Sequence, residues 1–183
     1  ASLSDIKVEQ VGTLTYNGEA LTPVVSASAT AVNDQPITFT YSTEQNGTYG
    51  DLPSFTNAGT YTVYYKVLGD EIHADTEPAS IEVIIAKAKL TPKLTGTVTK
   101  VYDGTALTNH NVTVSGDGFI EGEGAAYNVT GSQTEKGSSA NAFTYTLDEG
   151  TKAGNYIITK TQGTLTVTEL TDKVTVTITE HSG

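Results

Sequence analysis

Residues 57–67 read NAGTYTVYYKV. A Gly sits three residues in, where the chain can take a positive φ, and a β-rich run follows. Along that run Tyr61, Val63 and Tyr65 fall on one side of a pleat and Thr62 and Tyr64 on the other. The stretch therefore predicts a turn feeding a half-buried strand. Its meaning depends on whether it stands alone.

It does not. AGTY (58–61) returns as AGNY (153–156), with Gly154, Tyr156 and Ile158 in the places of Gly59, Tyr61 and Val63. Upstream, LTYNGEALTP (14–23) matches KVYDGTALTN (100–109) through Tyr16-Asn17-Gly18 and Tyr102-Asp103-Gly104. Downstream, SIEVIIAK (80–87) and GTLTVTEL (163–170) each close on an alternating run. Landmarks recurring in one order mark a duplicated unit. The expected domains are residues 1–87 and 88–170. DKVTVTITEHSG (172–183) repeats the pattern of the opening DIKVEQVG, so 171–183 is expected to be the first strand of a further unit. The chain opens on Ala1 rather than Met and is expected to be a fragment of a longer protein.

Strands are expected near 5–14, 21–30, 36–43, 60–68 and 80–87 in the first unit. In the second they fall near 93–101, 110–115, 125–131, 142–147, 155–160 and 163–169. No segment keeps a 3.6-residue apolar period over helical length. The junction AKAKLTPK (86–93) lacks a Gly/Ser tract, so the two units are expected to form a semi-rigid rod.

The chain has 183 residues, of which 37% are hydrophobic, and a formal net charge of -11. Its Thr, Val, Ile and Tyr give a β composition. The acidic balance argues against nucleic acid and anionic membrane surfaces, which need a basic patch. No apolar run approaches the ~18 residues of a membrane span. There is no Cys, so neither a disulfide framework nor thiol chemistry is available.

In an immunoglobulin-type sandwich a Tyr near the start of strand F turns its hydroxyl back to nearby backbone, two residues before the core Cys. Tyr61 and Tyr156 fit that place, and Val63 and Ile158 stand where the Cys would be. The fold expected is all-β, two tandem Ig-like β-sandwiches, with β-grasp repeats as the alternative. The Tyr-Asp-Gly turn, the Ala-Gly-x-Tyr step and the closing strand together resemble the YDG-type, or MBG, bacterial Ig-like repeats. The stretch 126–168 is especially similar to repeats of large Gram-positive surface proteins. That resemblance implies an extracellular, cell-wall-attached, adhesin-like protein of many tandem repeats. It implies no catalytic residues and no cofactor.

Other constellations are weak. Asp70, Glu71, His73, Asp75 and Glu77 form an acidic loop, as do Asp117, Glu121 and Glu123. Ca²⁺ takes such oxygens, but the spacing lacks an EF-hand's glycine and terminal Glu, so no metal site is assigned. His110 and His181 are isolated and suggest no Ser/His/Asp grouping. Lys7, Lys100 and Asn155 carry no trusted signature for an isopeptide cross-link. Of ten Tyr, only Tyr41, Tyr49 and Tyr127 lack an obvious core role and are free for stacking on a sugar. The function expected is a non-catalytic stalk, monomeric, whose partners are neighbouring repeats and, outward, a host glycan or protein. The alternatives are a carbohydrate- or mucin-binding module and an accessory domain of a secreted glycoside hydrolase.

Overall fold

In the computed structural model, residues 3–30, 36–69, 74–171 and 177–181 are described. Among them the chain is nearly all-β, with one short 3-10 turn and no α-helix. The further unit expected at 171–183 lies largely outside the described residues.

The first copy starts with β1 (Ser4–Gln10), paired antiparallel with β3 (Val25–Thr30). Between them the two-residue β2 (Leu14–Thr15) leaves that sheet. It joins a second sheet with β4 (Phe39–Ser42), β5 (Gly59–Val67) and β6 (Ala79–Ala86), in the order β2-β6-β5-β4. The strand expected over 5–14 is thus broken at 11–13. Gly12, at φ 75, supplies the conformation that lets the chain change sheets. The Gln10 side chain bridges the break. Its amide nitrogen donates to the Ile84 carbonyl at 3.0 Å and its oxygen accepts from the Ile84 N–H at 2.7 Å. A side-chain amide here completes the ladder that the departing backbone leaves unpaired.

The second copy repeats this plan. β7 (Ala88–Leu94) begins one residue after β6, and β8 (Thr97–Val101) follows it. β9 (Val112–Gly116), β10 (Ala125–Val129), β11 (Gly137–Asn141), β12 (Phe143–Leu147), β13 (Tyr156–Ile158) and β14 (Gly163–Thr168) complete the set. β8 lies parallel to β14 as β2 lies parallel to β6. β11 runs antiparallel to β14 as β5 does to β6. β12 continues the line of β11 and pairs with β10 as β5 pairs with β4.

The registers fix the equivalence residue by residue. Ile85 faces Leu14 on one side and Gly59 on the other, and Val167 faces Lys100 and Gly137. The counterpart of Gly59 is therefore Gly137, and those of Tyr61 and Val63 are Ser139 and Asn141. This corrects the equation of Gly59, Tyr61 and Val63 with Gly154, Tyr156 and Ile158. AGNY lies instead in a 3-10 turn (Ala153–Asn155) leading into β13, which pairs parallel with β7. A match of three residues in four was outweighed by strand register, which decides which residues enter the core.

The described residues gather in two compact units. Unit 1 holds residues 1–90, 116–124 and 149–158, and unit 2 holds 91–115, 125–148 and 159–183. In unit 1 Val63, Val83 and Ile85 are fully buried, and in unit 2 Leu94, Phe143, Leu165 and Val167 are. Val63→Ala should cost unit 1 about 2 kcal/mol from two lost methyl groups plus cavity. Ile84→Ala, on the exposed face, should cost under about 0.5 kcal/mol. Hydrogen exchange of the β5 and β6 amides separates the two outcomes.

Candidate functional site

The Tyr-Asn/Asp-Gly turn has the same geometry in both copies. Tyr16 N–H donates to the Ala86 carbonyl and Tyr102 N–H to that of Thr168, each at 2.9 Å, so the turn begins where the leading strand meets the closing one. Asn17 Oδ1 then accepts from the Glu19 N–H at 3.0 Å, and Asp103 Oδ1 from the Thr105 N–H at 2.9 Å. The turn needs only a side-chain oxygen two residues back, which is why Asn and Asp interchange there. Gly18 and Gly104 follow at φ 82 and 78. Asp103 is further held by the Lys100 ammonium at 2.8 Å, and with the Thr105 donors this keeps its carboxyl well below the usual range.

The surroundings of the two turns differ. In unit 1 the loop 116–124 lies against the first turn. Tyr16, 7% exposed, donates through its hydroxyl to both carboxylate oxygens of Glu123, at 3.1 and 3.2 Å. The buried Tyr156 hydroxyl donates to the same carboxylate and accepts from the Ile120 N–H at 3.3 Å. The two rings meet edge to face at 5.5 Å, and Phe119 packs on Tyr156 at 5.0 Å. Asn155, 2% exposed, accepts from the Ala58 N–H at 2.8 Å and donates to Asn57 Oδ1 at 3.2 Å. A carboxylate shared by two phenols, with an amide pair beside it, thus locks 116–124 and 149–158 onto the first copy's residues.

Burial is the main cause that pushes the Tyr16 and Tyr156 hydroxyls above the usual phenol range, and the Glu123 hydrogen bond adds to it. A phenol donating to a carboxylate cannot lose its proton without placing two negative charges together.

The other residues singled out take their places around this lock. Tyr61 turns its hydroxyl back to the Asn57 carbonyl, the corner bond expected of it, and its ring stacks on Phe55 at 4.0 Å. Ile158 is half-buried and packs against the same cluster. Gly154 lies exposed in the 3-10 turn. Of the first acidic loop, Asp70, Glu71 and His73 lie outside the described residues. Asp75 accepts from the Gly69 N–H and pairs with Lys66 at 3.5 Å. Asp117 accepts from the Lys89 N–H at 2.8 Å. Among the described residues no three His, Asp or Glu converge as metal ligands. Tyr41 and Tyr49 line an open cleft of about 390 Å³. The Tyr49 ring is capped by the Lys66 ammonium at 4.4 Å, and the Tyr127 ring packs on Phe143. Sequence reasoning missed Glu123 as the organising group, because it read as one of many acidic turn residues.

Removing the shared acceptor strands two buried hydroxyls. Glu123→Ala should destabilise unit 1 by about 2–4 kcal/mol, and Tyr16→Phe by about 1–2 kcal/mol. The native state holds protons that the unfolded chain releases above about pH 10. From pH 8 up to that point stability should therefore be flat, and above it should fall, less steeply in Tyr16→Phe. Denaturant titrations at pH 8–11 with ultraviolet detection of phenolate measure both.

Comparison with known proteins agrees with the turn and the strands around it. Residues 86–164 match the family model of the YDG domain. No curated protein matches the chain. The Tyr102-Asp103-Gly104 turn, the strand that leads into it and most of the strands that follow lie within the match, and the chain carries a YDG domain over residues 86–164.

Proposed function

We propose that the chain is a non-catalytic structural stalk, made of tandem Ig-like β-sandwich modules, from an extracellular adhesin-like protein of a bacterial cell surface. The single observation that carries this reading is the commitment of the polar side chains to structure. Glu123, Tyr16, Tyr156, Asn57 and Asn155 bond to one another, so the buried Tyr16, Tyr156 and Asn155 spend their polar atoms on holding segments together.

The strand plan supports the Ig-like assignment. β1 and β3 take the places of strands A and B, while β4, β5 and β6 take those of C, F and G, with the Tyr61 corner at the start of F. A β-grasp needs a helix laid on its sheet, and the described residues contain no α-helix. Neighbouring modules are the immediate partners, with a host glycan or protein as the outward one. The carbohydrate-binding alternative has less support. The Tyr49 ring is capped by Lys66 and its hydroxyl is tied to the Gln45 carbonyl at 2.8 Å, which leaves a poor stacking platform.

Pulling the protein by its ends in single-molecule force spectroscopy should give two unfolding events, unchanged by chelator. Glycan arrays should show no binding. A glycan signal abolished by Tyr49→Ala, or unfolding forces that depend on Ca²⁺, would replace the stalk reading with a ligand-binding one.

A further inference from the structure

Among the described residues the turn of the first copy is covered by 116–124, and no described segment lies over the equivalent turn of the second. A Cβ added at Gly18 would collide with Ile120 Cδ1, whereas at Gly104 it would meet nothing among the described residues within 4 Å. Tyr16 is 7% exposed and Tyr102 36%. The residues flanking the tyrosine differ in chemistry as well. Around Tyr16 stand Phe55, Asn57, Ala58 and Tyr61. The register puts Gln133, Glu135, Lys136 and Ser139 at the matching places around Tyr102.

We propose that the face formed by Tyr16, Phe55, Asn57, Ala58 and Tyr61 is a selective socket for a YDG-type module that presents Glu123 and the Asn155–Tyr156 turn. The equivalent face around Tyr102 is closed to those same loops, so modules of these two kinds join in one order only. The inference rests on the stalk reading and adds to it a rule of assembly.

Each socket residue has a task that its counterpart cannot perform. The Phe55–Tyr61 stack forms part of the apolar floor on which the Tyr16–Tyr156 cluster is packed. Gln133 and Ser139 offer no such floor. Asn57 Oδ1 accepts from Asn155, and the Ala58 amide, beside a small side chain, donates to the same group. Glu135 and Lys136 would bring a charge to each of these positions. Lys136 is moreover ion-paired with Glu169. Seating a loop over that pair would cost its desolvation with no replacement partner. Discrimination of this kind uses a favourable fit on one face and polar obstruction on the other.

The second copy also supplies the control. Its sheet forms with Gln, Glu, Lys and Ser at these positions, so the same residues are compatible with the strands of the first copy. The test is the full chain carrying Phe55→Gln, Asn57→Glu, Ala58→Lys and Tyr61→Ser. The amides of Val63 and Val83 should keep their hydrogen-exchange protection, while the amide at position 58 exchanges about tenfold faster or more, as expected for a lost hydrogen bond. The Tyr16 phenol should titrate closer to the ordinary range. Unchanged exchange at 58 with an unchanged Tyr16 titration would overturn the proposal. Should the fourfold variant lose the sheet, Asn57→Glu with Ala58→Lys alone, which keeps the Phe55–Tyr61 stack, is held to the same two readouts.

The reverse arm appends a second copy of residues 88–170 after residue 170 of the full chain. The amide of Lys136 should exchange as it does without the added module. Installing Gln133→Phe, Glu135→Asn, Lys136→Ala and Ser139→Tyr in that longer chain should slow it about tenfold. Protection at Lys136 before the substitutions, or none after them, would overturn the selectivity. Glycan binding by the chain would defeat the stalk reading and leave all of these exchange rates where they are.

Discussion

Each copy depends on closing its first strand onto its last. Tyr16 N–H to Ala86 and Tyr102 N–H to Thr168 are the terminal bonds of two parallel pairings that span nearly the whole copy. A chain without cysteine must close so long a loop non-covalently, and the entropy of closure grows only slowly with its length. The cost is offset by what the closing strand carries. Val83 and Ile85 in one copy and Leu165 and Val167 in the other are all but fully buried. The two closures differ in strength. β8 pairs with β14 over five residues, whereas β2 pairs with β6 over only two. The first copy makes up the difference with side chains: the Gln10 amide extends the ladder at Ile84, and Tyr16 is anchored by Glu123.

Glu123 can serve two phenols because a carboxylate accepts several hydrogen bonds and donates none. Tyr16 and Tyr156 each bring one donor, so the buried hydroxyls are satisfied without a further partner. A neutral amide in its place would present one oxygen and an unwanted pair of donors. The charge also explains why the contact is aromatic on its apolar side. Rings packed edge to face shield one side of the acceptor from water, which strengthens the hydrogen bonds there.

The all-β class and the duplicated landmarks were legible because they rest on local chemistry. A Tyr, an Asn or Asp and a Gly in a row encode one turn wherever they occur, and both copies obey it. β11 was not legible. GSSAN has little β propensity and becomes a strand through pairing with β14, with Asn141 buried at the place that Val63 holds in the first copy. Ala-Gly-x-Tyr misled for the opposite reason: strong local likeness between segments that pair with different partners. β7 was hidden in what read as a linker, because its alternation is out of phase with that of β6. Val83 and Ile85 are buried before Lys87, and Ala88, Leu90 and Leu94 after it. The candidate site drew on both copies at once, so no reading of either copy alone could assemble it.

What separates the copies lies mostly on their faces. SFTNAG (54–59) and SQTEKG (132–137) keep the Ser, the Thr and the Gly that set the backbone, and Leu21 and Leu107 bridge antiparallel to Phe55 and Gln133 in the same way. The backbone bonds are indifferent to the side chains at 55, 57 and 58, which leaves those positions free to diverge. Substitution there changes what can dock without disturbing how the copy closes. A repeated fold can in this way keep one plan of closure while each copy acquires its own neighbour. The Glu123 lock is what that divergence allows in the first copy. On the proposed reading, the order of modules becomes a property of a few side chains around one tyrosine, carried on a turn that is the same in both copies.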